Sequence, residues 1–400
     1  MKKIKLITTC ILSAISIIST FALTACTPPT PTYRGSYNGI AHQPKHLVLN
    51  AGDTLTITNN HFQDISLDFE DFSIGIHQER GQNIVTIESS TITAVNSGYV
   101  VIRARLYQET TQHASGQRIR PFYSVIIANI HVINEATMTH ITTAEELAAM
   151  NDNLDGHFIL MADIDLAEWG DWTPIGRTLT FEEREPHQRP HDYAFRGMFV
   201  NPHEYRIKNL TITTSKTIRE AGLFGHIVER GSLVAGIILE DIFIDVSDYP
   251  IDFLPATGTS WVGGIAAQVA SGVWIVDCFV SGKMIGGGYM LGGIVGQNAG
   301  YVFRCTFKGD LIMTNEPRNN GSIGGIIGHN VTHAIISRVR ENVVYADIYG
   351  GERINAGGII GFTTAGCRAY CSTFSGTVTG LSFGTMIGFD AHKRGAVNFI

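Results

Sequence analysis

Gly293-Ile-Val-Gly296 is the phrase that decides the fold, because it returns almost unchanged as Gly325-Ile-Ile-Gly328 and Gly358-Ile-Ile-Gly361. The last positions of successive copies, weaker ones included, lie 42, 29, 32, 33 and 27 residues apart. A period of about 20 to 50 residues is typical of a solenoid or a propeller. The weaker copies are Gly222-Leu-Phe-Gly225, Gly264-Ile-Ala-Ala267 and Thr385-Met-Ile-Gly388.

A second phrase lies between the copies of the first. Val302-x-x-Cys305-x-Phe307-x-Gly309-x-Leu311 matches Ile275-x-x-Cys278-x-Val280-x-Gly282-x-Met284. Apolar residues two positions apart predict strands with one buried face, and the glycines predict corners. Each unit would supply short strands but no helix, so it must stack on its neighbours. The sequence therefore predicts an all-β chain with a right-handed parallel β-helix over 140–400. A propeller is the alternative, but its blades need about 40–45 residues.

Two cysteines occupy equivalent positions in this second phrase. Cys278 and Cys305 are predicted to lie in an interior stack of small apolar side chains, with a disulfide between them as the alternative. Cys367 and Cys371 are four residues apart, which is not the spacing of a zinc ribbon or a redox pair. Whether these four cysteines form disulfides stays open.

The repeats resemble the GLUG motif, in particular the N-terminal non-catalytic region of Gram-positive immunoglobulin A1 metalloproteases. The resemblance implies a surface protein with a repeat solenoid and structural glycines at Gly222, Gly225, Gly293, Gly296, Gly325, Gly328, Gly358 and Gly361. Departures occur at Ala267, at Val200-Asn201 and in a charged insertion over 177–194. Other phrases that fall in the family's order are Asp163-Ile-Asp165-Leu166, Trp172-Thr-Pro174-Ile-Gly176, Phe195-Arg-Gly197-Met-Phe199 and Ile207-Lys-Asn209-Leu210.

A short helix is predicted before the repeats. Thr142-Thr143-Ala-Glu145-Glu146 contains two overlapping Thr-x-x-Glu capping boxes. Leu147 and Met150 follow on one helical face. A single amphipathic helix at this place would cover the open N-terminal end of a solenoid core.

Residues 37–135 are predicted to form an immunoglobulin-like β-sandwich, because short strands and turns follow one another at regular spacing. The stretch from Ser90 to Ile102 resembles a bacterial immunoglobulin-like domain of the Big type, which implies a spacer or adhesion module. An unrelated sandwich is the alternative.

The N-terminus resembles that of a bacterial lipoprotein. A basic start and an apolar stretch to Phe21 predict a signal peptide over 1–25. Leu23-Thr24-Ala25-Cys26 resembles a lipobox, which implies lipid attachment, palmitate included, at Cys26. Residues 26–36 would then be the lipidated cysteine and a Pro/Thr-rich spacer. These features predict a chain anchored to a membrane of the cell envelope and facing away from the cytoplasm, at the cell surface or in the periplasm.

The charge and the remaining motifs limit the function. A formal net charge of −7 gives no electrostatic footprint for nucleic acid. His203-Glu204 lacks the second histidine of a zincin site, and no cofactor or metal site is predicted. Asp163 and Asp165 could share a strand face, but solvent-facing polar positions explain them as well.

We therefore expect a non-enzymatic, lipid-anchored surface protein that mediates adhesion or binds a protein or glycan from the host, matrix or envelope. A stacked sheet would offer such a ligand a long, rigid face. A glycan lyase or hydrolase on the same solenoid is the alternative, since a fold alone does not decide function.

Overall fold

The computed structural model describes most of the chain after its first 44 residues. The residues that it describes are 45–56, 73–80, 82–88, 91–107, 111–112, 118–119, 122–177, 192–213, 220–247, 261–286, 290–313, 321–331, 339–364, 369–390 and 395–397. Cys26, the predicted signal peptide, Cys367 and most of the charged insertion lie outside these ranges.

Two sheets share one core before residue 134, and we call these strands the N-terminal unit. The first sheet is mixed, in the order Lys45–Asn50, Phe122–Ile133, Gly98–Tyr107 and Ser73–Arg80. The second is antiparallel, in the order Thr54–Thr56, Thr91–Ala94 and Val85–Glu88. A separate two-stranded sheet pairs Thr111–Gln112 with Arg118–Ile119. The buried side chains of the shared core are Val85, Ile92, Ala94, Val100, Ile102, Ala128, Ile130 and Val132.

The predicted helix is present, in a shorter form. The α-helix Ala144–Ala148 lies between the 3-10 turns Glu135–Thr137 and Ala149–Asp152. Its Thr143 side chain accepts from the Glu146 amide, while the Glu146 carboxylate accepts from the Thr143 and Thr142 amides. Of the two predicted boxes, the one formed by Thr143 and Glu146 is present, and Thr142 also donates to Glu146 rather than to Glu145. Leu147 and Met150 are fully buried in the core of the repeats.

Four sheets follow, and their neighbouring strands come from successive repeats. Sheet 1 contains Thr139–Ile141, His157–Leu160, Met198–Val200, Leu233–Ala235, Trp274–Val276, Tyr301–Phe303, Val339–Arg340 and Ala369–Tyr370. Sheet 2 contains Ile164–Asp165, Arg206–Lys208, Ile238–Val246, Phe279–Gly286, Thr306–Met313, Val343–Gly350 and Thr373–Ser375, with Thr211–Ile212 and Val378–Thr379 paired beside them.

The other two sheets flank the repeated glycine phrase. Sheet 3 contains Glu220–Ala221, Trp261–Gly263, Met290–Gly292, Gly321–Gly324, Ile354–Gly357 and Ser382–Gly384. Sheet 4 contains Phe224–Ile227, Ala266–Val269, Val295–Asn298, Ile327–Asn330, Ile360–Thr363, Ile387–Asp390 and Gly395–Val397. All pairings in the four sheets are parallel except the last one of sheet 4. The prediction of an all-β chain built on parallel sheets is confirmed.

The strand register reproduces the alignment of the second phrase. Val302 pairs with Ile275, and Phe307 pairs with Val280. These side chains are buried, and they belong to one core that runs from Ile141 to Ile387. Identical positions of the repeat therefore form columns along the stack, as the sequence predicted.

One strand of the N-terminal unit was not predicted. Ser73–Arg80 pairs antiparallel with Gly98–Tyr107, although its sequence contains only two aliphatic residues, Ile74 and Ile76. Its partner strand supplies the pairing that local propensity does not indicate. The sequence also predicts a strand over Ser66 to Phe69, and that stretch lies outside the described residues.

Candidate functional site

The outward faces of sheets 1 and 2 differ in what covers them. Sheet 1 presents a buried apolar cluster whose largest members are Trp274 and Phe303, with Trp274 only 4% exposed. The N-terminal unit packs here: His131 Nε2 lies 3.2 Å from the Gly231 carbonyl oxygen, and its ring centroid lies 5.6 Å from that of Trp274. Contacts within the chain therefore occupy this face.

The outward face of sheet 2 is open around the strand Val343–Gly350. Tyr345 and Tyr349 are 55% and 53% exposed, and Asp347 between them is also exposed. The alternate residues Val344 and Ile348 are buried in the core. Since a strand rises about 3.3 Å per residue, the two tyrosines stand about 13 Å apart on one side of it.

Neighbouring strands extend this open surface. Lys308 pairs with Tyr345, and Asp310 pairs with Asp347. We call Lys308, Asp310, Tyr345, Asp347 and Tyr349 the tyrosine face. Because the sheet fixes their backbones, binding would cost no backbone ordering, and only the side-chain rotamers would have to be fixed.

The tyrosine face combines aromatic rings with hydrogen-bonding charges. Asp347 Oδ1 accepts from the Thr377 amide at 3.0 Å and from its hydroxyl at 2.6 Å, which holds that carboxylate in place. Among the described residues, neither tyrosine ring stacks on another aromatic ring. Two carboxylates and one ammonium give the face a formal charge of −1. Exposed tyrosines offer apolar contact and a polar tip at low entropic cost.

The predicted glycines lie at the corners between sheets 3 and 4, where backbones touch. A Cβ on Gly293 would stand 2.2 Å from the Gly325 carbonyl oxygen, and one on Gly325 would stand 2.1 Å from that of Gly358. The first glycine of the phrase thus permits one repeat to stack on the next. Gly222, Gly225 and Gly358 are closely approached by backbone oxygens as well.

The last glycine of the phrase has a different contact. A Cβ on Gly296 would lie 2.8 Å from the Val262 amide nitrogen, and one on Gly361 would lie 2.6 Å from the Ile323 carbonyl oxygen. Gly328 makes the same kind of approach, to Leu291. These glycines let the backbones of sheets 3 and 4 approach each other closely. They are structural and leave no room for a ligand.

The two equivalent cysteines of the second phrase lie in the interior and are not bonded to each other. Cys278 and Cys305 are free and buried, and burial raises the pKa of the Cys305 thiol well above its usual value. A buried thiol whose pKa is raised in this way is a packing group rather than a nucleophile. Cys371, by contrast, is disulfide-bonded.

The two aspartates considered for catalysis serve the stacking of repeats. Asp163 Oδ1 accepts from the Arg206 amide at 2.8 Å. Asp165 Oδ1 accepts from Asn209 Nδ2 at 2.7 Å, and this bond lowers the pKa of Asp165. Each carboxylate thus binds the following repeat. Within the described ranges, no group of three or more His, Cys, Asp or Glu residues is arranged to hold a metal ion.

Comparisons with known proteins add little to this geometry. No protein-family model matches the chain, and no curated protein matches it. A solved structure named "IgA1 Protease" is similar over 87% of this chain and 29% of its own length, with 11% identity and a TM-score of 0.30. This chain therefore spans under a third of that protein, and so low a TM-score supports no argument about function.

The sequence pattern does not single out Tyr345 and Tyr349 as functional residues. Their signal is the alternation Tyr345-x-Asp347-x-Tyr349 with aliphatic residues between. That alternation predicts an outward row of a strand, but it does not tell which outward face of the stack stays open.

Proposed function

We propose that the chain is a lipid-anchored protein of the cell envelope that binds an extracellular protein or glycan through the tyrosine face. In this proposal the repeats form a right-handed parallel β-helix of the GLUG type, and the N-terminal unit is an immunoglobulin-like sandwich of the Big type. The parallel, in-register columns of four sheets support the first assignment. The two-sheet core supports the second.

The observation that carries the proposal is the contrast between the two outward faces. The apolar face of sheet 1 is buried within the chain, while sheet 2 leaves two tyrosines more than half exposed. Tyrosine is enriched where proteins bind partners. A rigid face of this kind, raised from a membrane on a spacer, suits adhesion.

The lipid anchor is inferred from the lipobox alone, and it is tested separately from binding. Among the described residues, no helix has the length and apolar character needed to cross a membrane. We expect Cys26→Ala to move the chain from the membrane fraction to the soluble fraction, since the acyl chains would be lost. Cell fractionation with immunoblotting measures this.

Cys10 supplies the matched control for that experiment. It lies inside the predicted signal peptide, so Cys10→Ala should leave the mature chain and its membrane association unchanged. Membrane association of the Cys26→Ala chain that persists after a high-pH wash would contradict the lipid anchor.

Binding is tested on a combined array of glycans and matrix proteins. We expect the double variant Tyr345→Ala/Tyr349→Ala to lose at least about tenfold in affinity for whatever the parent chain binds, because truncating two central aromatic contacts typically removes more than 1 kcal/mol each. Both side chains are exposed, so the variant should fold normally.

Tyr193→Ala is the control, because Tyr193 is 44% exposed and lies outside the tyrosine face. Equal loss of binding in the control and in the double variant would contradict the assignment of the site. Retained binding in the double variant would do so as well.

A further inference from the structure

A polar pocket of about 400 Å³ opens where the N-terminal unit meets the first repeat. We propose that this pocket binds one ring of a neutral polyhydroxylated ligand, such as a monosaccharide unit of a glycan. The site is separate from the tyrosine face and does not depend on it. Its lining consists of Asn96, Ser97, Thr137, Thr139, Asn153, Asp155 and His157.

Some side chains that line the pocket are held by hydrogen bonds within the chain, while others have donors and acceptors that are unused. Ser97 Oγ and Thr137 Oγ1 lie 3.0 Å apart, and each donates to the Asn134 carbonyl oxygen. Among the described residues, the side chains of Thr139, Asn153 and His157 form no hydrogen bond, although all three face the pocket. A rigid rim thus surrounds a hydroxyl, an amide and an imidazole that are available to a ligand.

The charge of the pocket is balanced. Arg196 Nε donates to Asp155 Oδ1 at 2.6 Å, and Arg196 Nη2 donates to Oδ2 at 3.3 Å. These hydrogen bonds lower the pKa of Asp155, so the carboxylate stays an acceptor at neutral pH. Arg196 also donates to the Asp192 carbonyl oxygen at 3.1 Å. Because Arg196 neutralises the Asp155 carboxylate beside the pocket, the pocket has no net charge that would favour a charged ligand over a neutral one.

The imidazole of His157 adds both a donor and an acceptor. Burial lowers the pKa of His157 below its ordinary value of 6.5, so the ring is neutral at pH 7. A neutral imidazole has one N–H and one bare nitrogen. The ring can therefore donate a hydrogen bond to a ligand hydroxyl or accept one from it.

Size and lining together indicate the ligand class. Small-molecule sites usually enclose about 300–1,000 Å³ and are mainly apolar. This pocket lies at the lower end of that range, and its lining carries only polar side chains. An apolar ligand would leave these groups unpaired, whereas a sugar ring presents hydroxyls on every side. Hydrogen bonds made in exchange for water predict weak, millimolar binding.

The pocket also joins two parts of the chain. Asn96 and Ser97 belong to the N-terminal unit, whereas Asn153 precedes the sheet 1 strand His157–Leu160 and His157 is its first residue. A bound ring would contact both sides at once. It would therefore stabilise the junction as well as occupy the site.

To test this, the full chain is titrated with N-acetyl-D-glucosamine, D-galactose, glycerol and sodium sulfate. Binding is measured by saturation-transfer NMR and by shifts of the imidazole resonances of His157. We expect at least one sugar to bind with a millimolar Kd and to shift the His157 resonances. The double variant Asn153→Ala/His157→Phe should lower the affinity for that sugar by at least about tenfold. Asp152→Ala is the control, since Asp152 is exposed one residue from Asn153 and outside the lining.

Several outcomes would overturn the proposal. One is that no sugar binds up to about 50 mM, and another is that sulfate alone binds. A third is that Asp152→Ala lowers the affinity for the sugar as much as the double variant does. Circular dichroism of the double variant establishes that it is folded. If Tyr345→Ala/Tyr349→Ala abolishes sugar binding while Asn153→Ala/His157→Phe does not, the pocket is refuted and the tyrosine face stands. The reverse result refutes the tyrosine face for that ligand and supports the pocket.

Discussion

Replacing Gly325 with alanine is expected to lower the free energy of unfolding by about 3 kcal/mol, the upper range for overpacking a core. The new Cβ would stand 2.1 Å from the Gly358 carbonyl oxygen and 2.7 Å from a Val344 methyl carbon. The first contact is with backbone of the next repeat, which cannot rotate away. Relief requires two repeats to separate, and that disturbs pairing in all four sheets at this level.

Gly286→Ala is the matched control, because Gly286 ends a strand of sheet 2 and its added Cβ would meet side chains only at 3.4 Å or more. We expect this variant to be neutral or slightly stabilising, since alanine restricts the unfolded chain. Urea denaturation, monitored by circular dichroism, measures the free energy of unfolding of both variants. Similar midpoints for the two variants would contradict the close-stacking role of the repeated glycines.

Acid is expected to destabilise the chain through His329, by up to about 3 kcal/mol. This side chain is mostly buried against Phe362, with ring centroids 4.8 Å apart, and neither ring nitrogen has a hydrogen-bond partner among the residues that the structure describes. Burial lowers the pKa of His329 from 6.5 to about 4. Each pKa unit corresponds to about 1.36 kcal/mol.

The sign follows from proton binding in the two states. Below pH 6.5 the unfolded chain binds a proton at this histidine while the folded chain does not, so stability falls as the pH falls. The loss begins near pH 6.5 and is complete once the pH is below about 4. Above pH 6.5 this group contributes no pH dependence.

His329→Phe isolates that contribution, because phenylalanine fills the same column as Phe362 and cannot be protonated. We expect the difference in unfolding free energy between variant and parent to grow by about 3 kcal/mol from pH 7 to pH 4. His140→Phe, at an exposed position, is the control. A difference that stays constant with pH would refute the assignment to His329.

The repeat could be predicted because its signal is local and periodic. Gly293, Gly325 and Gly358 mark the same corner at intervals near 32 residues, and only glycine tolerates a carbonyl oxygen about 2 Å from its missing Cβ. The helix before the repeats could also be predicted from the sequence, because the side chains of Thr143 and Glu146 accept hydrogen bonds from each other's backbone amides within one turn.

The candidate sites could not be predicted in the same way. Tyr345 and Tyr349 have the sequence pattern of any outward row, and so does Trp274 on sheet 1. What separates them is that the N-terminal unit, far away in sequence, packs on one face and leaves the other open. The pocket likewise joins Ser97 to His157 across 60 residues.

The sequence by itself determined the strand phrases, their register and the positions that must be glycine, because these depend on contacts between equivalent residues of neighbouring repeats. Only the tertiary structure decided which outward face is covered, that a polar pocket forms at Asn153, and that His329 is buried with no hydrogen-bond partner in the described part of the chain. Those properties depend on how separate units pack, and packing between distant segments leaves no periodic trace in the chain.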